Sequence, residues 1–282
     1  MPVHDDLGLR MKNSYESRAR SYLTRRTPVI IRIDGRAFHT FTRGFKRPYD
    51  PLLMRCMQDT MKYLCENIQG CVLGYTQSDE ISLLLVDYKE LTSDSWFDYQ
   101  VQKICSISAS LATLEFNRVF NQRVIKILGV DPKYCLDFGD AMDLQKAYEK
   151  ALDKGAMFDS RCFNIPKEEV ANYFFWRQED ATRNSIQMAG QAYFSHKELQ
   201  GKNCNQIQDM LHEIHNINWN DYPVEFKRGT CCRKIYYTET AIDRKTKQEK
   251  EVTRSKWEID KEIPIFKGDD RYYIDNLVFV GV

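Results

Sequence analysis

The first sustained apolar pattern covers residues 28–34 (PVIIRID), a β-branched run that reads as a central strand and ends in a carboxylate, Asp34. Asp50 followed by Pro51 is an N-cap and first-turn signal, and Leu53, Met57, Met61 and Leu64 recur at helical spacing, so a helix is expected over residues 51–67. Between residues 71 and 86 two apolar β-type runs flank the polar Gln77-Ser78-Asp79-Glu80, the pattern of a hairpin. A long helix is predicted from about Trp96 to Phe120, with Val101, Cys105, Ser108, Ala112, Phe116 and Val119 on one face. Residues 129–155 are mixed and charged, and DLQKAYEKALDKG reads as a short surface helix on an excursion from the core, ending at Gly155. AMFDSRCFNIP reads as another strand, after which Pro166 opens a helix to residue 194. On that helix Arg177, Asp180, Asn184, Gln187 and Gln191 fall at steps of three and four and make one polar stripe. Residues 196–216 read as short helices. In the closing β region, 224–282, CCRKIYYTETAI and EVTRSKWEI flank the polar DRKTKQEK of a long hairpin.

Strands interleaved with helices, without an internal repeat, make the chain α+β. Residues 1–223 are expected to form one catalytic domain with 129–155 as an insertion, and 224–282 a C-terminal β extension packed on it. A chain of 282 residues lies where single cores stop growing, at roughly 250–300 residues. Its 43% hydrophobic and 29% charged residues are ordinary for a globular protein, and a net charge of +1 argues against wholesale coating by nucleic acid. Basic surface must therefore be local. From Lys227 to Lys256 ten basic residues stand against four acidic ones, with Tyr236, Tyr237 and Trp257 nearby. That stretch reads as an RNA-backbone surface bearing Lys245, Lys247 and Lys250, or as a charged hairpin edge that resists aggregation. No run approaches the ~20 apolar residues of a membrane span, and the first residues are too charged for a secretory leader, so a cytoplasmic protein without a membrane partner is expected. Nine cysteines without a C-x-x-C pair fit reduced structural thiols, the adjacent Cys231-Cys232 included. His212-x-x-His215 has helical spacing but no further ligand around it in sequence, and reads as a surface pair.

The chemistry concentrates at Asp34 and Asp79-Glu80, carboxylates at the ends of apolar runs that a strand-helix-strand unit can bring side by side. Neighbouring carboxylates repel, and a divalent cation resolves the repulsion. Mg²⁺ prefers one or two carboxylates plus phosphate oxygens, which suits a nucleotide site. Extended residues alternate in direction, so one of Asp79 and Glu80 faces Asp34; Asp79 is the choice. Gly35 permits close backbone approach, the amides from Arg36 to His39 can cradle a triphosphate, and Arg43, Lys46 and Arg47 add positive charge. The residues alone reach two-metal phosphoryl transfer, or else a DG and an SDE that are merely turn residues.

RIDGRAFHTF, YTQSDEISLLL, FDSR, WRQEDATRNS and FKRGT, in this order between about Arg18 and Thr230, resemble the tRNA-histidine guanylyltransferase family and its guanylyltransferase-like relatives, the 3′-5′ nucleotide polymerases. The resemblance implies a palm like those of 5′-3′ polymerases and nucleotide cyclases, an antiparallel sheet flanked by helices. It implies that Asp34 and Asp79, with the Gly35 carbonyl, hold two Mg²⁺ ions, and that Glu80 matters to activity. Asp34, Gly35, Arg36, Ala37, Phe38, His39 and Ser78 would hold the nucleotide, ATP or GTP, with Arg47 at a family lysine position and Lys103 the one matched residue of a family basic run. Lys202-Asn203 matches a family Lys-Asn pair and would meet RNA or a second nucleotide. The polar stripe of Arg177, Asp180 and Asn184, read from its spacing alone, either does the same or is a solvated helix face. The implied partner is tRNA, and the implied assembly a tetramer. The family's tRNA-histidine enzymes carry His-x-Asn-Asn where this chain reads Thr182-Arg183-Asn184-Ser185, a departure that favours the group repairing 5′-truncated tRNA. A palm-type nucleotide cyclase and a non-catalytic tRNA-binding module are the competing expectations.

Overall fold

Strand β1 (Val29–Gly35) forms where the β-branched run predicts it, and its first residues are buried on both faces. The structure, a computed structural model, describes residues 6–128, 138–242 and 249–281. Helix α1 (Asp6–Ser14) precedes β1, and the short α2 (Phe38–Phe41) follows it. Next come α3 (Pro51–Asn67), β2 (Cys71–Gln77) and β3 (Glu80–Leu85), then α4 (Val101–Leu128), α5 (Phe138–Lys154) and β4 (Phe158–Asn164). Helices α6 (Val170–Tyr193), α7 (His196–Leu199), α8 (Cys204–His215) and α9 (Val224–Arg228) lead to β5 (Thr230–Ile242), β6 (Glu249–Asp260) and α10 (Tyr272–Val278).

The strands make one antiparallel sheet in the order β4-β1-β3-β2-β5-β6. Helices α3, α4 and α5 cover one face, on which Ile31, Ile33 and Leu83 meet Met61 and Phe116. Helices α6 and α10 cover the other, on which Ile30 and Leu84 meet Phe174 and Ile274. The far half of α6 runs past the sheet and packs Ile186 and Ala189 against Leu211 and Trp219. Asp50 caps α3, accepting from the Leu52 and Leu53 amides, with Pro51 in the first turn. Among the described residues no helix is long and apolar enough to cross a membrane.

Three expectations change. Helix α4 begins at Val101, because Phe97, Asp98 and Tyr99 adopt left-handed φ of 51°, 50° and 55°, and runs on to Leu128. Burial of Trp96 and Tyr99 holds that turn against local preference, which no glycine or proline in the sequence announces. Helix α5 is not a surface excursion: Leu144, Ala147, Tyr148, Ala151 and Leu152 line one face and enter the core. Its Tyr148 hydroxyl donates to Asp50 (2.8 Å), and its ring packs edge-on against Phe45. Residues 129–137, the rest of the expected insertion, lie outside the described residues. The closing region is not all β, since α9 and α10 are helical, and β5 joins the sheet by pairing Thr230–Arg233 with Leu73–Thr76 of β2.

Candidate active site

The β2–β3 connection is a two-residue turn, with Ser78 left-handed (φ 50°) and Gln77 paired to Glu80. The Gly35 amide donates to the Asp79 carbonyl (3.1 Å), which fastens this turn to the end of β1. Asp79 is therefore a turn residue, outside the strand alternation that the sequence reading assumed. Register instead places Glu80 of β3 and Asp159 of β4 directly opposite Asp34, three carboxylates on one face.

Arginines on that same face resolve the repulsion. Buried Glu80 accepts from Arg32 Nε (2.8 Å) and from Arg177 Nη1 (3.0 Å), and Arg161 donates to Asp159 (2.9 Å). Asp34 is held more loosely, its Oδ2 lying 3.8 Å from Arg161 Nη2 and 4.0 Å from Arg32 Nη2. Arg177 is buried, and its guanidinium lies 3.6 Å from the centre of the Trp176 ring. Burial raises the carboxyl pKa of Glu80 while Arg177 and Arg32 oppose the rise.

A cavity of about 580 Å³ opens beside the turn, lined by Gly35, Ala37, His39, Arg47, Ser78 and Asp79, with Met188 and Gln191 of α6 on its far wall. Arg43 and Lys46 also line it. Phe38 anchors the loop through Phe41, Phe116 and Phe158, with ring centres 5.1–5.6 Å apart. A Cβ on Gly35 would lie 2.3 Å from the Phe38 ring, so only glycine fits between that ring and the turn. The Arg36 amide donates to the Met157 carbonyl (2.8 Å), which removes it from the expected cradle, while the amides of Ala37, Phe38 and His39 open α2 with helix-start donors unspent. Burial pushes the Asp79 carboxyl up to about 6; the Ser78 hydroxyl, donating at 3.0 Å, pulls against this, and the charges of Asp34 and Glu80 add to it. Two mutually repelling carboxylates beside a glycine and free amides fit Mg²⁺, which takes one or two carboxylates and leaves its other positions to phosphate and water.

The other expected residues divide. Arg47 and Gln191 also border a neighbouring cavity of about 520 Å³ that reaches His196 and Lys202. Asn184 borders a narrow cavity of about 80 Å³ with Ser78. Lys103 is not brought to the site: it lies against Phe97 at the start of α4, whereas Thr113, ten residues and about 15 Å further along the helix, bonds the amide of Phe158 opposite Gly35. The polar stripe splits, because Arg177 faces the sheet and Asp180 is taken up by Arg177, Arg183 and Asn184. Asn203 caps α8 in a reciprocal pair with Gln206, which occupies its side chain. Glu80 is no free acid, being committed to two arginines. Lys250 is exposed on β6, and Lys245 and Lys247 lie outside the described residues. Sequence reading missed Arg32 and Arg161; the signal was a cation two residues before Asp34 in an apolar strand, a spacing that shares its face.

The profile of the family described as tRNAHis guanylyltransferase matches residues 9–166, over half of the chain. A bacterial tRNA(His) guanylyltransferase-like protein solved in complex with ATP is 41% identical, covering 97% of this chain and 100% of its own, with a TM-score of 0.76. A bacterial protein of the same description solved with GTP is 38% identical, covering 98% and 100%, with a TM-score of 0.72. A probable tRNA(His) guanylyltransferase of Dictyostelium discoideum is 28% identical over 75% of this chain and 77% of its own. With its sheet, turn and glycine loop in that likeness, the chain belongs to the tRNAHis guanylyltransferase family of nucleotidyltransferases.

Proposed function

We propose that this nucleotidyltransferase extends the 5′ end of tRNA in the 3′-5′ direction, restoring missing nucleotides against the opposing strand. The observation that carries the reading is the segment Thr182–Ser185 on α6. Thr182 stands where the dedicated enzymes have histidine, and its hydroxyl donates to the Lys227 carbonyl (3.2 Å), a packing contact on α9. Selection among tRNAs by that position is lost, while the Asp34, Gly35, Ser78 and Asp79 constellation is kept. Base pairing then supplies the specificity.

The substrate nucleotide is ATP or GTP, the ligands of the two bacterial relatives. The Ala37, Phe38 and His39 amides donate to its phosphates, and Arg43, Lys46 and Arg47 balance their charge. Asp34, Asp79 and the Gly35 carbonyl hold Mg²⁺, which when bound neutralises phosphate charge and favours an ionised attacking oxygen. Glu80 acts through Arg32 and Arg177 and touches no substrate. The RNA 5′-monophosphate displaces pyrophosphate from the nucleotide, and the 3′-hydroxyl of an incoming nucleotide then displaces the activating nucleotide monophosphate. Arg47, His196 and Lys202 offer the RNA backbone a positive track leading away from the cavity. The assembly is a homotetramer, as the family resemblance implies. A 5′-labelled truncated tRNA supplied with Mg²⁺ and nucleotides should gain length on a denaturing gel; release of cyclic nucleotide without RNA extension would replace this reading with the cyclase one.

A further inference from the structure

Asp34 divides two surfaces. On the Gly35–Asp79 side lies the nucleotide cavity, whose walls do not include Asp34. On its own side the sheet carries Arg32 and Arg161, and beyond Glu80 stands Trp176 of α6. Trp176 is 50% exposed, unusual for the largest side chain on a helix whose neighbours enter the core. Its ring is held in place, since the Arg177 guanidinium stacks at 3.6 Å and Tyr173 meets it edge-on at 6.0 Å between ring centres. Arg177 is itself fixed by Glu80. An indole backed by a cation and partly open to solvent is a rigid platform for another flat ring.

Resting on the proposed function, we propose that Trp176 stacks the 5′-terminal base of the RNA, with Arg161 receiving the adjacent phosphate. Charge complementarity selects this occupant: Arg161 is half-exposed, lies 3.8 Å from Asp34, and offers the free part of its guanidinium on the same open face as Trp176. The last base pair of a truncated stem exposes one π-face beside a 5′-phosphate, and an aromatic face with a neighbouring cation matches both. The two reactants then approach Asp34 from opposite sides, the triphosphate from the cavity and the RNA end from the platform. Stacking is tolerant of base identity, as a templated enzyme requires.

The test uses the full chain and a fluorescent 5′-truncated tRNA carrying a 5′-monophosphate, with or without its 5′-terminal base. Wild type should bind the abasic RNA about tenfold to a hundredfold more weakly than the intact one. Trp176→Ala should lose that discrimination, binding both RNAs alike, and Trp176→Phe should recover most of it. The wild-type comparison needs no substitution, so a misfolded variant cannot decide the matter. Extension of tRNA by a wild type that binds intact and abasic ends equally overturns the platform alone. Failure of the wild type to bind or extend either RNA overturns the platform together with the proposed function.

Discussion

Asp79 and Glu80 are neighbours with opposite duties, and their substitutions should separate. Asp79→Asn and Asp34→Asn each remove a charge that the proposed function assigns to Mg²⁺ while keeping volume, so nucleotide transfer should fall by about 10²-fold or more. Thermal stability should hold in Asp79→Asn, because burial already disfavours the ionised carboxyl. Glu80→Gln should lower stability before chemistry, because it weakens the buried pairing to Arg177 and Arg32, and by less than the about 3–5 kcal/mol of a stranded buried charge, since Asp180 stays beside Arg177. Denaturant melts of the three variants, read beside turnover, check this; a Glu80→Gln protein as stable as wild type and inactive would restore Glu80 as a catalytic acid. Gly35→Ala should be worse than its single methyl implies, since the Phe38 ring occupies the space and is packed by Phe116 and Phe158.

Among the elements, α5 carries the clearest reversal. Its charged composition hides an apolar face, and Tyr148 fills a gap between Phe45, Phe120 and the Asp50 cap. Tyr148→Ala should therefore cost about 3–5 kcal/mol, as for other large core aromatics, whereas a surface helix would lose almost nothing. Lys103→Ala, ten residues along α4 from the Thr113 contact near Gly35, should leave the apparent affinity for ATP unchanged; a large rise in KM would return Lys103 to the nucleotide site. What the sequence made legible were elements whose periodicity and caps agree, such as β1, α3 and the β2–β3 hairpin, and the carboxylates at their ends. The left-handed turn at Phe97–Tyr99 was not legible because it is held by the burial of Trp96 and Tyr99 in the core, which local sequence does not reveal. The split of the α6 stripe was hidden for a related reason: helical spacing defines a face, but only the partner strand decides whether that face is wet. Arg32 and Arg161 share a face with Asp34 and Asp159 by strand alternation, but their pairing across β1 and β4 depends on a register that local sequence does not carry.

For the whole molecule, the proposed function would have RNA met by the Arg47–Lys202 track and by the basic β5–β6 hairpin on a chain of net charge +1. Replacing Lys245, Lys247 and Lys250 together with glutamine should weaken tRNA binding and make the slope of log affinity against log salt shallower by about two units. An unchanged slope would leave the hairpin as a solvated edge. The central claim, templated 3′-5′ addition, is tested most directly by offering each of the four nucleotides to a set of tRNAs lacking one 5′ nucleotide and differing only in the opposing base. Added nucleotide should follow the complement of that base in every case; guanosine added whatever the opposing base, or extension confined to full-length tRNA-histidine, would contradict it.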